Sequence, residues 1–170
     1  MPAYRKKITR PMDYDEFKTA IIDLPIARQA FLSILFFAGC RISEALALTS
    51  DDIHCTKDMI YIQFFRLKGS KQTDPQEIPR ADALEWLCEQ EGKLFTFCRK
   101  TGYNIVNGVF SQLYPHYFRM NRVTKVLDKF GAVTVQNTFG LSLNSIQSYV
   151  GKVDIKRVGK ALHEEVLARR

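Results

Sequence analysis

The sequence predicts a mainly α-helical domain with one small antiparallel β-sheet. Apolar residues recur at helical spacing through most of the 170 residues. The clearest exception is MIYIQFFRL at 59–67, which has the β-branched and aromatic composition of a strand. A chain of this length is expected to form a single domain around one hydrophobic core.

Three successive helices are predicted in the first part of the chain. Asp13, followed by Glu16 three residues later, is typical of a capping box before the helix YDEFKTAIIDL. Pro25 begins the second helix, PIARQAFLSILFFAG, and Gly39 is expected to end it. A third helix is predicted at about 42–49 and is followed by the turn TSDD.

The strand at 59–67 is expected to turn at KGSK and to return near 76–79 as a hairpin, to which a third strand would fit. Further helices are predicted at 81–90 and 104–114. Another begins at Pro115 and is expected to stop at Gly131. The tail from Asp154 to Arg170 predicts an amphipathic helix.

The charge of the chain favours an anionic partner. Its 25 Lys and Arg outnumber 18 Asp and Glu, so the net charge is +7, and nucleic acid is the commonest polyanion in cells. The first eleven residues, MPAYRKKITRP, are basic and lack periodicity, so 1–11 is expected to be a tail or a linker remnant and 12–170 the folded domain.

The cysteines and histidines predict neither a metal site nor a secreted protein. The spacing of the four cysteines matches no zinc framework, and the three histidines are scattered. Because the N-terminus shows no signal peptide, free reduced thiols in a cytoplasmic protein are expected. No apolar run reaches the roughly 18 residues of a membrane span.

Several charged residues are spaced as if to hold an anion. His116 and Arg119 put two cations on one helical turn, where like charges repel by a few tenths of a kcal/mol. A phosphate between them would explain the pair, although two solvated surface cations are the alternative. Arg41 precedes Glu44 by one turn, as either an ordinary ion pair or an arginine that Glu44 holds in position.

The order of these residues resembles the tyrosine recombinase (phage integrase) family over about 12–160. GCRISEALALTSDDI is similar to the first arginine box, with Arg41 as the catalytic arginine and Glu44 as its acidic neighbour. RLKGSKQ resembles the hairpin with the general-acid lysine, which would be Lys68 or, second, Lys71. PHYFR resembles the HxxR box and SIQSYVG the nucleophile segment. The tyrosine recombinase catalytic-domain fold is implied.

The resemblance also implies a reaction that needs no metal, ATP or other cofactor. Arg41, His116 and Arg119 would bind the scissile phosphate. Tyr149 would attack it and form a 3′-phosphotyrosyl intermediate, and Lys68 would protonate the leaving 5′-oxygen. Taken alone, Lys68 would more often be a solvated hairpin lysine, and Tyr149 a core or rim residue.

One position departs from the family pattern. A histidine or tryptophan usually stands eight or nine residues before the tyrosine, but here the position holds Leu141. Leucine cannot hydrogen-bond a phosphate, so Asn144 or Lys152 would supply the contact, or the enzyme would work with one donor fewer. Such departures occur in the archaeal virus and plasmid branch, which the resemblance therefore favours.

The implied partner is double-stranded DNA, bound by a homotetramer on paired sites that is monomeric without DNA. The predicted helix at 154–168 resembles the element that family members dock on a neighbouring subunit, although packing on its own subunit is the alternative. The family's N-terminal helical domain is expected to be absent. Three other functions fit the sequence: a type IB topoisomerase that swivels DNA, a non-catalytic DNA-binding relative, and a basic helical protein that binds RNA or another protein.

Overall fold

The computed structural model describes residues 11–65, 73–80, 82–111 and 113–149, which form helices around a small sheet. The predicted helix at 154–170 and the candidates Lys68, Lys71 and Lys152 lie outside the described residues. The α-helices are α1 (Tyr14–Ile21), α2 (Ile26–Ala38), α3 (Ile42–Leu46), α4 (Arg99–Val109), α5 (Pro115–Phe139) and α6 (Leu143–Ile146). Two 3-10 helices span Ser50–Asp52 and Asp82–Glu89, and the strands are β1 (Ile53–Cys55), β2 (Met59–Ile62) and β3 (Gln76–Pro79).

Helix α2 is the centre of the hydrophobic core. Most of its side chains are buried, and it packs against the 3-10 helix 82–89 and against α5. The predicted start of α1 is confirmed, because the Asp13 carboxylate accepts a hydrogen bond of 2.8 Å from the Glu16 backbone N–H. No helix in the described part of the chain is both long and apolar enough to cross a membrane.

Gly39 ends α2, as predicted, and it also lets α5 approach. Its φ of +60° is a left-handed conformation that favours glycine. A Cβ added there would lie 2.7 Å from the Arg122 Cβ and 3.0 Å from the Arg122 Cγ, close to the backbone of α5. The junction between α2 and α3, which precedes Arg41, is therefore pressed against α5.

We expect Gly39→Ala to lower the free energy of unfolding by about 2–4 kcal/mol, from left-handed strain and forced separation of α2 and α5. Gly92→Ala is the matched control: its φ is +69° but no atom lies within 4 Å of an added Cβ. It should therefore cost only the strain, about 1 kcal/mol. Urea unfolding of both variants measures the difference. Equal losses in the two variants would mean that the Arg122 side chain moves away from the added Cβ without lowering the free energy of unfolding.

The sheet is antiparallel with the order β1-β2-β3. Ile60 pairs with both Cys55 and Ile78, and the alternating positions Ile60, Ile62 and Ile78 enter the core. The predicted small antiparallel sheet is therefore confirmed, and the third strand is β1. Strand β2 is shorter than predicted, since residues 63–65 are irregular.

Other helices differ from the prediction at their ends. The segment 82–89 is a 3-10 helix, and α4 starts at Arg99 rather than at 104. Gly131 was expected to stop α5, but the chain only kinks there, with φ 83° and ψ 176°, and then resumes a helix to Phe139. The resumed turns bury Val135 and Phe139 in a second, smaller apolar cluster, which offsets the break.

The expectation of four free thiols is wrong for two of them. Cys55 and Cys88 form a disulfide, with their Cα atoms 6.0 Å apart. They meet because β1 packs against the 3-10 helix 82–89, although 33 positions separate them along the chain. Cys40, which is buried, and Cys98, which is exposed, are not part of a disulfide.

Candidate active site

Glu44 holds Arg41 at the junction between α2 and α3. One carboxylate oxygen of Glu44 accepts 2.7 Å from the Arg41 backbone N–H, and the other accepts 2.9 Å from Arg41 Nη1. The Glu44 side chain is fully buried, whereas that of Arg41 is 29% exposed. A buried acceptor thus fixes the guanidinium while one side of it reaches solvent. Both alternatives that the sequence left open, an ordinary ion pair and an arginine that Glu44 holds in position, contain this contact.

Arg119 is a buried tie between two helix ends. It is 1% exposed, its Nη1 donates 2.9 Å to the Gly39 carbonyl, and its Nη2 donates 3.2 Å to the Phe139 carbonyl. Its guanidinium also lies 5.5 Å from the centre of the Phe139 ring. At least two of its five donors therefore bind backbone oxygens. The sequence did not predict this contact, and a phosphate would have to be bound by its other N–H groups.

The positive charges of Arg119 and Arg41 both act on the imidazole of His116. Proline at the first position of α5 places it in the first turn. Part of His116 is open to solvent, but desolvation, followed by repulsion from Arg119 and Arg41, lowers the pKa of its imidazole below the usual 6.5. With no ligand bound, the lowered pKa favours the neutral form of the imidazole. A bound phosphate would oppose the repulsion and favour the proton.

A cavity of about 250 Å³ opens beside Arg41 and His116. Its walls come from the start of α3, the first turns of α4 and the start of α5. The polar and aromatic residues that line it are Arg41, Ser43, Arg99, Tyr103, Tyr114 and His116. Two of the predicted residues thus share one cavity, and the buried Arg119 is near enough to shift the pKa of one of them.

Tyr149 and Leu141 both pack against the second apolar cluster. Gly140 ends α5 with a φ of 63°, and Leu141 follows it. The backbone N–H of Tyr149 donates 2.8 Å to the Ile146 carbonyl just after α6. Tyr149 is not among the described residues that line the cavity. Leu141 and the proposed nucleophile Tyr149 thus pack on one apolar cluster, apart from the residues that line the cavity.

The base of the β2–β3 hairpin is anchored beside Arg119. Gln76 at the start of β3 donates 3.0 Å from its Nε2 to the Thr138 carbonyl. The next carbonyl, that of Phe139, accepts from Arg119. The start of β3, the strand that follows Lys68 and Lys71 in the sequence, is therefore anchored one residue from the carbonyl that binds Arg119.

The sequence did not single out four of the six polar and aromatic residues that line the cavity, namely Ser43, Arg99, Tyr103 and Tyr114. Arg99 and Tyr103 are four residues apart in a helix that was expected to start only at 104. The signal available in the sequence for Tyr114 was its position immediately before Pro115 and His116. Within the described residues, no three side chains of the metal-binding types lie together.

Comparison with known proteins finds similarity in structure. No family model and no curated protein matches the chain. The XerH site-specific recombinase bound to difH substrate, in a pre-cleavage complex, has a TM-score of 0.67 over 92% of this chain and 54% of that one, at 20% identity. Its post-cleavage complex with palindromic difH substrate gives 0.62 over 87% and 50%, also at 20% identity.

A third solved structure, the XerA recombinase, gives a TM-score of 0.59 at 20% identity over 94% of this chain and 65% of that one. These similarities confirm the predicted tyrosine recombinase catalytic-domain fold. The chain spans between 50% and 65% of the length of the three matched chains.

Proposed function

We propose that this chain, which has the fold of a tyrosine recombinase catalytic domain, is a site-specific DNA recombinase or integrase. The observation that carries the proposal is the meeting of Arg41, His116 and Arg119. Arg41 and His116 come from two distant segments yet line one cavity, and Arg119 follows His116 by one turn of α5. The solved XerH structures with the same fold hold difH substrate, which supports DNA as the ligand of this cluster.

The reaction that these residues would perform is a transesterification. The Tyr149 oxygen attacks the phosphorus, the bond from phosphorus to the 5′-oxygen breaks, and a 3′-phosphotyrosyl bond forms. Lys68 gives its proton to the leaving 5′-oxygen, and the tyrosine loses its own as it attacks. The arginines and His116 donate to the non-bridging oxygens, where negative charge grows. Resealing by the reverse steps needs no ATP because the bond energy is conserved.

The proposed function also includes an assembly of four copies of the chain on DNA. Cleavage of two DNA sites by four copies of the chain, bound as a tetramer on paired sites, would exchange the strands in turn. The departure at Leu141 supports a place in the archaeal virus and plasmid branch of the family.

A second candidate function is a DNA-binding protein without catalysis. Leu141 favours it, because the position holds an apolar side chain that packs on the second cluster. The engagement of Arg119 with two carbonyls also favours it, because these donors do not serve a phosphate. Both candidates keep the fold and differ in whether a covalent bond to DNA forms.

A nicked suicide substrate decides between them. Duplexes of randomised sequence, nicked so that the short 5′-hydroxyl fragment diffuses away after cleavage, are incubated with the protein, and covalent adducts are recovered and sequenced. We expect an adduct with wild type and none with Tyr149→Phe. Tyr61→Phe, on β2, removes the same hydroxyl elsewhere and should react like wild type. Duplex binding without any wild-type adduct would establish the non-catalytic candidate instead.

A further inference from the structure

Gln76 is a polar residue at a position of β3 where an apolar side chain would be expected. Burial alternates along the strand, and Gln76 and Ile78 both face the core, with exposed fractions of 8% and 1%. Gln76 also pairs with Ile62 of β2, which is fully buried. A buried amide lowers stability unless it is hydrogen-bonded. The amide of Gln76 is therefore expected to make a specific contact.

That contact is with the C-terminal end of α5, whose last residues are Thr138 and Phe139. The last carbonyls of an α-helix have no partner within the helix and accept hydrogen bonds from elsewhere. Gln76 Nε2 donates 3.0 Å to the Thr138 carbonyl, and Arg119 Nη2 donates 3.2 Å to the Phe139 carbonyl. The two side chains thus bind adjacent carbonyls of one helix end.

The position of Arg119 depends on this helix end. The Phe139 carbonyl accepts from its Nη2, and the Phe139 ring lies 5.5 Å from its guanidinium. Its Nη1 donates 2.9 Å to the carbonyl of Gly39, which precedes Arg41 by two residues. A shift in the last turn of α5 would therefore change two contacts of the guanidinium at once and alter its place relative to Arg41.

We propose that Gln76 is a positioning residue for Arg119. By binding the Thr138 carbonyl, it holds the last turn of α5, and with it the guanidinium, where Arg119 would donate to the scissile phosphate. Because Gln76 is the first residue of β3, the contact also ties the base of the β2–β3 hairpin to the end of α5. The effect on catalysis rests on the proposed function, whereas the position of the guanidinium can be measured without DNA.

Gln76→Met tests the proposal, because methionine has a similar length but lacks the amide donor. Gln76→Asn, whose amide is one methylene group shorter, should behave alike while it keeps a polar side chain. Gln63→Met is the matched control. Gln63 is half-buried just after β2, and its Nε2 donates 3.0 Å to the Thr73 carbonyl. The control removes the same amide and a similar bond from the hairpin base, but this bond does not reach α5.

The first measurement needs no DNA. Comparison with Arg119→Lys identifies the side-chain N–H signals of Arg119 by NMR, and nuclear Overhauser contacts to the Phe139 ring report where the guanidinium lies. Since both are properties of folded protein, a change in overall stability alone does not move them. We expect Gln76→Met to lose these contacts and Gln63→Met to keep them. Contacts in Gln76→Met as strong as in wild type would overturn the proposal.

The rate of adduct formation on the suicide substrate shows whether Gln76 acts through Arg119. Alone, Gln76→Met should slow the reaction about tenfold at saturating DNA, because displacement of an aligning group costs rate, while DNA affinity stays unchanged. In the Arg119→Lys background it should cause no further slowing, since the group that it positions is gone. Equal slowing in both backgrounds, or by Gln63→Met, would contradict the proposal. Absence of any wild-type adduct would refute the proposed function instead, and the NMR contacts would still decide whether Gln76 positions Arg119.

Discussion

Arg41→Ala should lower the rate of covalent adduct formation by a factor of about 10² to 10³. The guanidinium would donate to oxygens whose charge grows as the phosphorus becomes five-coordinate, so its loss raises the barrier more than it weakens the ground state. Most of the DNA affinity should remain, because many phosphate contacts contribute to binding. Single-turnover cleavage of the suicide substrate and a binding titration at fixed salt measure the two effects.

Because Glu44 is buried beside Arg41, a second variant of Arg41 is needed. Arg41→Ala removes the cation from a carboxylate whose side chain is fully buried, which can cost several kcal/mol of folding stability. Arg41→Lys keeps a cation near Glu44 but loses the planar fork that binds two oxygens at once. It should fold normally and still react at least about tenfold more slowly.

The comparison variant is Arg28→Ala, which removes an exposed arginine from the first turns of α2. It should cleave like wild type. Adduct formation and DNA affinity that fall by the same factor in Arg41→Lys would show that Arg41 only binds DNA, and the catalytic role would be lost.

The parts of the site that depend on local spacing could be predicted from the sequence. Arg41 is the N-cap of α3 and Glu44 lies three residues later, so the capping geometry of this helix start brings them together. The start of α5 at Pro115 and the end of α2 at Gly39 follow from backbone preferences of these two residues. Each of these predictions needed only the residues of one segment.

The parts that depend on contacts across the fold could not be predicted in this way. Arg119 binds the carbonyls of Gly39 and Phe139, which lie 80 and 20 positions away along the chain. Every residue has a backbone carbonyl, so the sequence does not indicate which carbonyls a side chain will bind. The disulfide between Cys55 and Cys88 needed the packing of a strand on a 3-10 helix. Gly131 does break helical geometry, but the apolar cluster beyond it makes a second run of helix favourable.

Arg119→Ala is expected to lower the free energy of unfolding by about 2–4 kcal/mol even without DNA, because two buried carbonyls would each lose a charged donor. Those carbonyls, of Gly39 and Phe139, belong to the ends of α2 and α5. Arg119→Lys should recover part of the loss, since an ammonium group can reach one carbonyl but cannot span both as a fork does. Urea unfolding of the three proteins, followed by circular dichroism, gives the values.

The same variants separate the structural part of Arg119 from its proposed part in catalysis. If Arg119 only ties the helices, Arg119→Lys should cleave DNA in proportion to its folded fraction, which is near one at low temperature. If it also stabilises the transition state, adduct formation should fall by a factor of about 10² in protein that is fully folded. Exposed Arg28→Ala again provides the reference for both measurements. An unfolding midpoint of Arg119→Ala equal to that of wild type would refute the tie, because two charged hydrogen bonds in a site that is 1% exposed cannot be lost without cost.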